Sequence, residues 1–143
     1  MDHVGEVHSH LIGSSGCPPP AHDCFLERAH IAFTLRESVS ASHNNWGAML
    51  YEADSGTCHF APTVDGRYRP YAITHIVDRV GGGDSFSGGL IYSLLQNMPA
   101  SKAVAFAAAA SCLKHSIPGD FNLVTVEEVM KLVEGDASGR VQR

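Results

Sequence analysis

The stretch that decides the fold runs from Ile73 to Leu95 and reads Ile-Thr-His-Ile-Val-Asp-Arg-Val-Gly-Gly-Gly-Asp-Ser-Phe-Ser-Gly-Gly-Leu-Ile-Tyr-Ser-Leu-Leu. It begins with apolar residues typical of a short buried strand, namely Ile73, Ile76 and Val77. Three glycines then predict a tight turn, and Asp84 and Ser85 are favourable residues for the start of a helix. The helix has an apolar stripe at helical spacing, formed by Phe86, Leu90, Ile91, Leu94, Leu95 and Met98.

A glycine turn followed by a helix N-terminus is typical of an anion site. Unpaired N–H groups of the turn and of the first helical turn point outward, and the helix dipole adds partial positive charge. Asp84 places a carboxylate in the middle of this site. Two interpretations stay open: Asp84 caps the helix, or it acts as a base beside a phosphoryl group that is being transferred.

The segment from Asp78 to Gly89 resembles the second signature of the ribokinase-like carbohydrate kinases, D-x-x-G-A-G-D-x-F-x-x-G. Gly82 replaces the alanine, and the Asp-Arg-Val-Gly-Gly-Gly-Asp form is particularly similar to 2-keto-3-deoxygluconate kinases. The resemblance implies that Asp84 is the catalytic base and that Gly81, Gly82 and Gly83 form the anion hole. It also implies ATP as the phosphoryl donor, with Mg²⁺ bridging the ATP phosphates largely through water.

A second motif lies before this stretch. Ile31–Leu35 predicts a buried strand of a parallel sheet, and Arg36–Trp46 predicts a polar loop at its carboxyl end, where open α/β sheets place their ligands. The Thr-Leu-Arg-Glu-Ser-x-Ser-Ala-x-x-Asn-x-Trp pattern is again similar to 2-keto-3-deoxygluconate kinases. This similarity implies an ATP-binding set of Thr34, Arg36, Glu37 and Ser38, together with Gly81 and Gly83. The residues alone also allow a plain surface pair between Arg36 and Glu37.

A third motif follows, from Lys114 to Asn122, and reads Lys-His-Ser-Ile-Pro-Gly-Asp-Phe-Asn. Composition alone predicts a tight turn in which Asp120 is an ordinary turn residue. The motif also resembles 2-keto-3-deoxygluconate kinases, which implies that Asp120 binds the substrate together with Asp84. Asp78 is expected to order the glycine turn.

The remaining patterns predict local elements. Ala48–Phe60 predicts a β-hairpin that turns at Glu52–Gly56. Ser101 is the predicted cap of a helix that runs to about His115, and its small residues Ala103–Ala110 suit either core packing or the flat face of a ligand. Thr125–Gly135 predicts a last helix that begins with a capping box and ends at glycine.

The whole chain has 143 residues and suits one domain. We expect an irregular segment at 1–24, the C-terminal part of a carbohydrate kinase domain at 25–135 and a polar tail at 136–143. A net charge of −5 gives no basic footprint for nucleic acid. The chain has no run long enough to span a membrane and no signal-peptide core, so cytoplasm is the expected location.

The cysteines and the first histidines carry weaker signals. The four cysteines have unrelated spacings, which favours free thiols; they are Cys17, Cys24, Cys58 and Cys112. His3, His8 and His10 could bind a metal, although a solvated tail accounts for them as well.

The expected fold class is α/β: the C-terminal part of a ribokinase-like three-layer α/β/α sandwich with a mostly parallel sheet. The resemblance implies ATP-dependent phosphoryl transfer to a hydroxyl of a sugar acid such as 2-keto-3-deoxygluconate. It covers only the C-terminal half of such kinases, so a completing N-terminal half, or a homo-oligomer, is the expected partner. The alternative is a truncated, non-catalytic nucleotide-binding or interaction remnant. A G-x-x-x-x-G-K-[ST] motif is absent, which argues against a P-loop NTPase.

Overall fold

A computed structural model describes residues 30–135 of the chain. The strands are β1 (His30–Ser40), β2 (His43–Glu52), β3 (Thr57–Ala61), β4 (Thr63–Val64), β5 (Arg67–Tyr68) and β6 (Tyr71–Ile73). The helices are α1 (Gly82–Leu95), α2 (Ala100–Lys114) and α3 (Val126–Val133). The segments predicted to be irregular, 1–24 and 136–143, lie outside the described residues, and so do His3, His8 and His10.

β2 lies at the centre of the main sheet. β1 pairs with it antiparallel, with Thr34 opposite Ala48 and Ser38 opposite Asn44. β3 and β6 share the other edge of β2, both antiparallel, and β4 and β5 form a separate two-stranded ribbon. Every strand pairing within residues 30–135 is therefore antiparallel, and the predicted mostly parallel sheet is wrong for this part of the chain. The three-layer sandwich stays a prediction.

Ile31–Leu35 is a strand, as predicted, but it is neither parallel nor buried. The chain turns straight back after Ser40, whereas a parallel neighbour would need a long crossover connection. The predicted polar loop Arg36–Trp46 is therefore strand apart from this turn. Within the described residues β1 has β2 as its one neighbour, and its side chains are mostly exposed, including Phe33 at 52%.

The predicted hairpin is confirmed by the pairing of β2 with β3, in which Leu50 lies opposite His59. α2 packs against this pair of strands and carries much of the core. The run Ala103–Ala110 is almost wholly buried, which confirms core packing as its main role. α1 lies close to α2, because a Cβ added to Gly89 would be 3.1 Å from the Cα of Ala107.

The first helix confirms the predicted strand–turn–helix order but differs in detail. The strand is shorter than predicted, since β6 ends at Ile73, and α1 begins at Gly82. Its buried face includes Phe86 and Ser93, whereas Ile91 and Leu95 of the predicted stripe are 59% and 74% exposed. The close approach of α1 to α2 at its glycine and serine residues turns these two apolar side chains outward.

The helix caps are a mixed result. The cap of α2 is Pro99 rather than Ser101, with no side-chain hydrogen bond. The capping box of α3 is confirmed: Thr125 Oγ1 accepts from the Glu128 N–H at 3.2 Å, and the Thr125 N–H donates to the Glu128 carboxylate at 2.8 Å. The helix ends just before Gly135, whose φ is 102°.

Two cysteines fall within the described residues. Cys58 is disulfide-bonded, so the prediction of free thiols is wrong there. Cys112 is a free, buried thiol, and burial raises its pKa to about 12. Within residues 30–135, no helix is both long and apolar enough to cross a membrane.

Candidate active site at the glycine turn

The centre of the candidate site is the turn at Gly81. This residue is the N-cap of α1 with φ 78° and ψ 0°, a left-handed conformation that favours glycine. A Cβ at this position would collide with the carbonyl oxygen of Asp120. Position 81 therefore requires glycine for two reasons: its left-handed backbone conformation and its close contact with the segment that carries Asp120.

The first turn of α1 has backbone donors that no side chain caps. No side chain caps the helix, and the first N–H groups, those of Gly82, Gly83 and Asp84, have no carbonyl partner within an α-helix. Asp84 is the third residue of α1, and its side chain is exposed. The interpretation of Asp84 as the helix cap is therefore wrong, which leaves its carboxylate available for another role.

Asp84 and Asp120 line the same cavity, of about 410 Å³, between α1, α2 and α3. Its polar lining also includes Ser85 and Asn122. Its apolar walls come from all three helices and include Tyr92, Phe106, Ala110 and Val129. The structure thus brings together the two residues predicted to bind the substrate, although they are 36 positions apart in the chain (120 − 84).

Asp78 connects the turn to the segment before Asp120. One carboxylate oxygen accepts from the Val80 N–H at 3.0 Å, and the other accepts from the Gly119 N–H at 2.9 Å. These N–H groups, that of Val80 first, hold the pKa of Asp78 below its usual value. The geometry agrees with the expectation that Asp78 orders the turn.

Arg79 connects the turn to the sheet. Its guanidinium donates to the carbonyl oxygens of Ala41, in the turn between β1 and β2, at 2.5 Å and of Ser40, the last residue of β1, at 3.4 Å. Because Asp78 and Arg79 are adjacent, this short segment joins three distant parts of the chain.

The residues predicted to bind ATP on β1 fall on two faces of the sheet. Side chains alternate along a strand, so Thr34, Arg36 and Ser38 share one face and Glu37 lies on the other. The Glu37 carboxylate accepts a hydrogen bond from the Asn45 amide at 2.7 Å. The suggested surface pair of Arg36 with Glu37 is thus wrong.

The face that carries Arg36 is the one nearer the turn. Arg36 lies opposite Trp46, whose ring centroid is 4.7 Å from that of His115. The His115 ring in turn lies against Gly82, because a Cβ added there would be 3.1 Å from Cε1 of the imidazole. Trp46 and His115 therefore form a continuous contact from β2 to the beginning of α1.

Sequence reasoning missed the end of α2, which lies directly behind the turn. Ser111 Oγ donates to the Gly82 carbonyl at 2.6 Å, and His115 Nδ1 donates to the Ser111 carbonyl at 2.8 Å. Burial, followed by nearby positive charges, lowers the pKa of His115 and favours the neutral ring. The signal was present: Ser111, Lys114 and His115 are polar residues at helical spacing in an otherwise apolar, buried helix.

The acidic residues suit a weakly held divalent cation. Within residues 30–135, no group of three or more His, Cys, Asp or Glu side chains could hold a metal ion. Mg²⁺ in phosphoryl-transfer sites is bound through one or two carboxylates, substrate phosphates and water. Asp84 and Asp120 at one cavity fit that pattern.

Comparison with known proteins supplies the context for this geometry. A family model described as pfkB family carbohydrate kinase matches residues 31–123. A 2-dehydro-3-deoxygalactonokinase of Haloferax volcanii is 35% identical over 71 residues, which cover 50% of this chain and 22% of that protein. The crystal structure of a 2-dehydro-3-deoxygluconokinase of Thermotoga maritima is similar at 50% identity and a TM-score of 0.65.

These similarities cover between 50% and 74% of this chain but at most 30% of the other proteins. The Thermotoga structure is matched over 74% of this chain and 29% of its own. A PfkB family carbohydrate kinase of Listeria grayi, at 33% identity and a TM-score of 0.65, is matched over 73% of this chain and 30% of its own. The chain thus spans less than a third of the length of these relatives. Because the family match covers well over half of its residues, the chain belongs to the pfkB family of carbohydrate kinases.

Proposed function

We propose that this chain supplies the phosphoryl-transfer part of a sugar-acid kinase. The reaction is ATP-dependent phosphorylation of a hydroxyl of a 2-keto-3-deoxy sugar acid, with 2-keto-3-deoxygluconate as the first candidate substrate. One observation carries the proposal. Asp84 is an exposed carboxylate in the uncapped first turn of α1, and it shares a cavity with Asp120. The names of the Haloferax and Thermotoga relatives support the choice of substrate.

In the proposed mechanism Asp84 is the base. An alcohol is a much weaker acid than a carboxylic acid, so the hydroxyl proton moves to Asp84 late, as the oxygen attacks the γ-phosphorus of ATP. The bond from that phosphorus to the β–γ bridging oxygen breaks in the same step, and ADP leaves. The N–H groups between Gly81 and Asp84 stabilise the charge that develops on the transferred phosphoryl oxygens. Asp84 and Asp120 are the carboxylates that would hold Mg²⁺, through water, and the ion would supply positive charge to the ATP phosphates. Asp120 holds the sugar acid on the other side of the cavity.

The proposed ATP contacts lie on the sheet side of the turn. Thr34, Arg36 and Ser38 share the face of β1 that leads through Trp46 toward the turn. Gly81 and Gly83 would contribute backbone groups. Glu37 is the weakest member of the set, since its side chain lies on the opposite face and is engaged by Asn45.

The short length of the chain bears on its activity. Because the chain spans 29% of the Thermotoga kinase, we propose that a further kinase segment, or a second copy in a homo-oligomer, completes the sugar site. The unpaired outer edge of β1 within the described residues supports such an addition. The second candidate function is a truncated, non-catalytic nucleotide-binding or interaction remnant of such a kinase, and the exposed apolar side chains of α1 favour the interaction role.

The decisive experiment measures ADP release by the purified chain with ATP, Mg²⁺ and 2-keto-3-deoxygluconate, alone and with the N-terminal part of a related kinase added. We expect turnover in at least the completed protein. Asp84→Asn should lower the rate by about 10²–10⁴-fold. Its thermal unfolding should match the wild type, because the Asp84 side chain is exposed.

A matched variant separates the two carboxylates. Asp120→Asn should raise KM for the sugar acid more than it changes KM for ATP. ATP binding without turnover in every combination would support the remnant instead. Full turnover in Asp84→Asn would refute the assignment of the base.

A further inference from the structure

Lys114 is a fully buried cation at the end of α2. Its relative exposure is 0%, whereas lysine is almost never fully buried without a charged partner. Its ammonium donates to the Ile117 carbonyl at 3.0 Å. Among residues 30–135, no carboxylate forms an ion pair with it. Burying an ammonium without a charged partner is strongly unfavourable, so a buried Lys114 suggests a functional role for its charge.

The Lys114 side chain lies close to both the Gly81 turn and the segment that leads to Asp120. Its Cε lies 3.2 Å from the point that a Cβ on Gly81 would occupy, so the alkyl chain passes directly behind the turn. Its ammonium then reaches Ile117, at the start of the segment that leads to Asp120. The side chain thus contacts the turn and the loop that the Asp78 carboxylate also joins.

The charge of Lys114 also affects the electrostatic potential at the start of α1. A positive charge in a poorly solvated position behind a helix N-terminus adds to the partial positive charge of the N–H groups in the first turn of the helix. Among residues 30–135, the carboxylate of Asp78 is close enough for the Lys114 charge to lower its pKa, but the two groups form no ion pair, and the N–H groups of Val80 and Gly119 bond to that carboxylate instead. The remaining positive potential is available to an anionic ligand at the turn.

We propose that Lys114 is a positioning residue whose buried ammonium holds the Gly81 turn against the Asp120 loop and raises the affinity of the turn for phosphate groups. This inference deepens the proposed function and rests on the assignment of the turn as an anion hole. It does not require that the chain turn over a sugar acid.

The test measures binding of tripolyphosphate to the full chain, through the amide resonances of Gly82–Ser85. Lys114→Met keeps the length of the side chain and removes the charge, and it should weaken binding by at least about tenfold. Lys114→Arg restores the charge and should bind within about threefold of the wild type. Lys102→Met removes an exposed lysine of the same helix and should leave the affinity unchanged.

The salt dependence separates charge from packing. Loss of a binding charge should lower the dependence of affinity on ionic strength in Lys114→Met, which a purely structural defect would not do. Wild-type affinity in Lys114→Met would overturn the inference. If that variant does not fold, Lys114→Arg decides, and loss of binding in folded Lys114→Arg also overturns it. Tripolyphosphate binding at the turn, with no kinase turnover either in the chain alone or after the N-terminal part of a related kinase is added, would refute the proposed function alone. No binding at the turn would refute this inference.

Discussion

Gly81 and Gly83 lie two residues apart, yet their backbones have different requirements. Gly81 has a positive φ and no space for a Cβ, because the Asp120 carbonyl occupies that place. Gly83 lies within the first turn of α1, and a Cβ there would meet nothing within 4 Å. Glycine is therefore required at position 81, whereas position 83 has space for a larger residue.

Alanine substitution tests this difference. Gly81→Ala should lower the free energy of unfolding by more than about 2 kcal/mol, since strain in the left-handed region adds to the clash. Gly83→Ala should be neutral or stabilise the protein by up to about 1 kcal/mol, because glycine is a poor helix residue. Urea titrations of both variants and the wild type give the comparison. Equal losses in the two variants would contradict the geometry of the turn.

His115 is a second residue whose surroundings make a measurable difference. Its pKa in the folded chain is lowered, mainly by burial, from a usual value of 6.5. Below about pH 6.5 the unfolded chain therefore binds a proton that the folded chain resists, so stability falls as the pH falls through this window. Above about pH 6.5 the ring is neutral in both the folded and the unfolded chain, so His115 no longer makes the stability depend on pH.

The pH dependence should be visible in denaturant midpoints at pH 5.5 and 7.5. We expect the wild type to lose stability at the lower pH, by up to about 1.4 kcal/mol, because pH 5.5 lies one unit below the usual pKa of histidine. His115→Asn should be less stable at pH 7.5 because it loses the contact with Trp46, but its stability should depend less on pH. The same pH dependence in both proteins would mean that His115 does not carry the effect.

At the scale of elements, the sequence correctly predicted the features that depend on interactions between neighbouring residues. The hairpin of β2 and β3 and the capping box of Thr125 are set by neighbouring residues, and both are confirmed. The partners of β1 are not local: an apolar run specifies a strand but not the direction of the strand beside it. The polar residues after Leu35 read as a loop, yet an exposed edge strand accommodates them.

The candidate site likewise has one part that the sequence predicts and one part that it does not. The glycine turn and Asp84 follow from the order of residues, whereas the residues behind the turn are visible only once α2 has been placed. The apolar stripe of α1 failed as a guide because packing is decided by its small residues. Gly89 lets the backbones approach, so Ile91 and Leu95 face away from α2.

Adjacent glycines test the packing of α1 on α2. A Cβ at Gly89 would lie 3.1 Å from the Cα of Ala107, a backbone atom that cannot move alone. Gly89→Ala should therefore destabilise the protein by about 1–3 kcal/mol. Gly88→Ala, with nothing within 4 Å of the new Cβ, should stabilise it by up to about 1 kcal/mol. Thermal unfolding of the pair measures the difference, and a stable Gly89→Ala variant would show that the helices are less closely packed.

At the scale of the whole molecule, the described residues leave apolar side chains uncovered. Phe33 on β1 is 52% exposed and Leu95 at the end of α1 is 74% exposed. Such side chains favour association in a chain that spans less than a third of its kinase relatives. A completing segment or a second copy would bury them.

We expect the isolated chain to self-associate as its concentration rises. Leu95→Glu should reduce this association and leave the thermal midpoint almost unchanged, because the side chain is exposed. Val64→Glu is the control: it makes the same kind of change at a 56% exposed site on the separate ribbon of β4 and β5. Sedimentation velocity over a range of concentrations provides the measurement. An unchanged sedimentation coefficient in Leu95→Glu would exclude the end of α1 from the contact.

The bonds of Asp78 and Arg79 also bear on the order in which the protein folds. Asp78 bonds to Gly119, 41 residues away, and Arg79 bonds to Ala41, 38 residues away. Contacts of such separation close long loops and form slowly, whereas the β2–β3 hairpin and the helices need only near neighbours. We therefore expect a folding intermediate to gain its hairpin and helices before the glycine turn acquires its final shape. The phosphate binding that we propose for this turn would then be acquired late in the folding of a newly made chain.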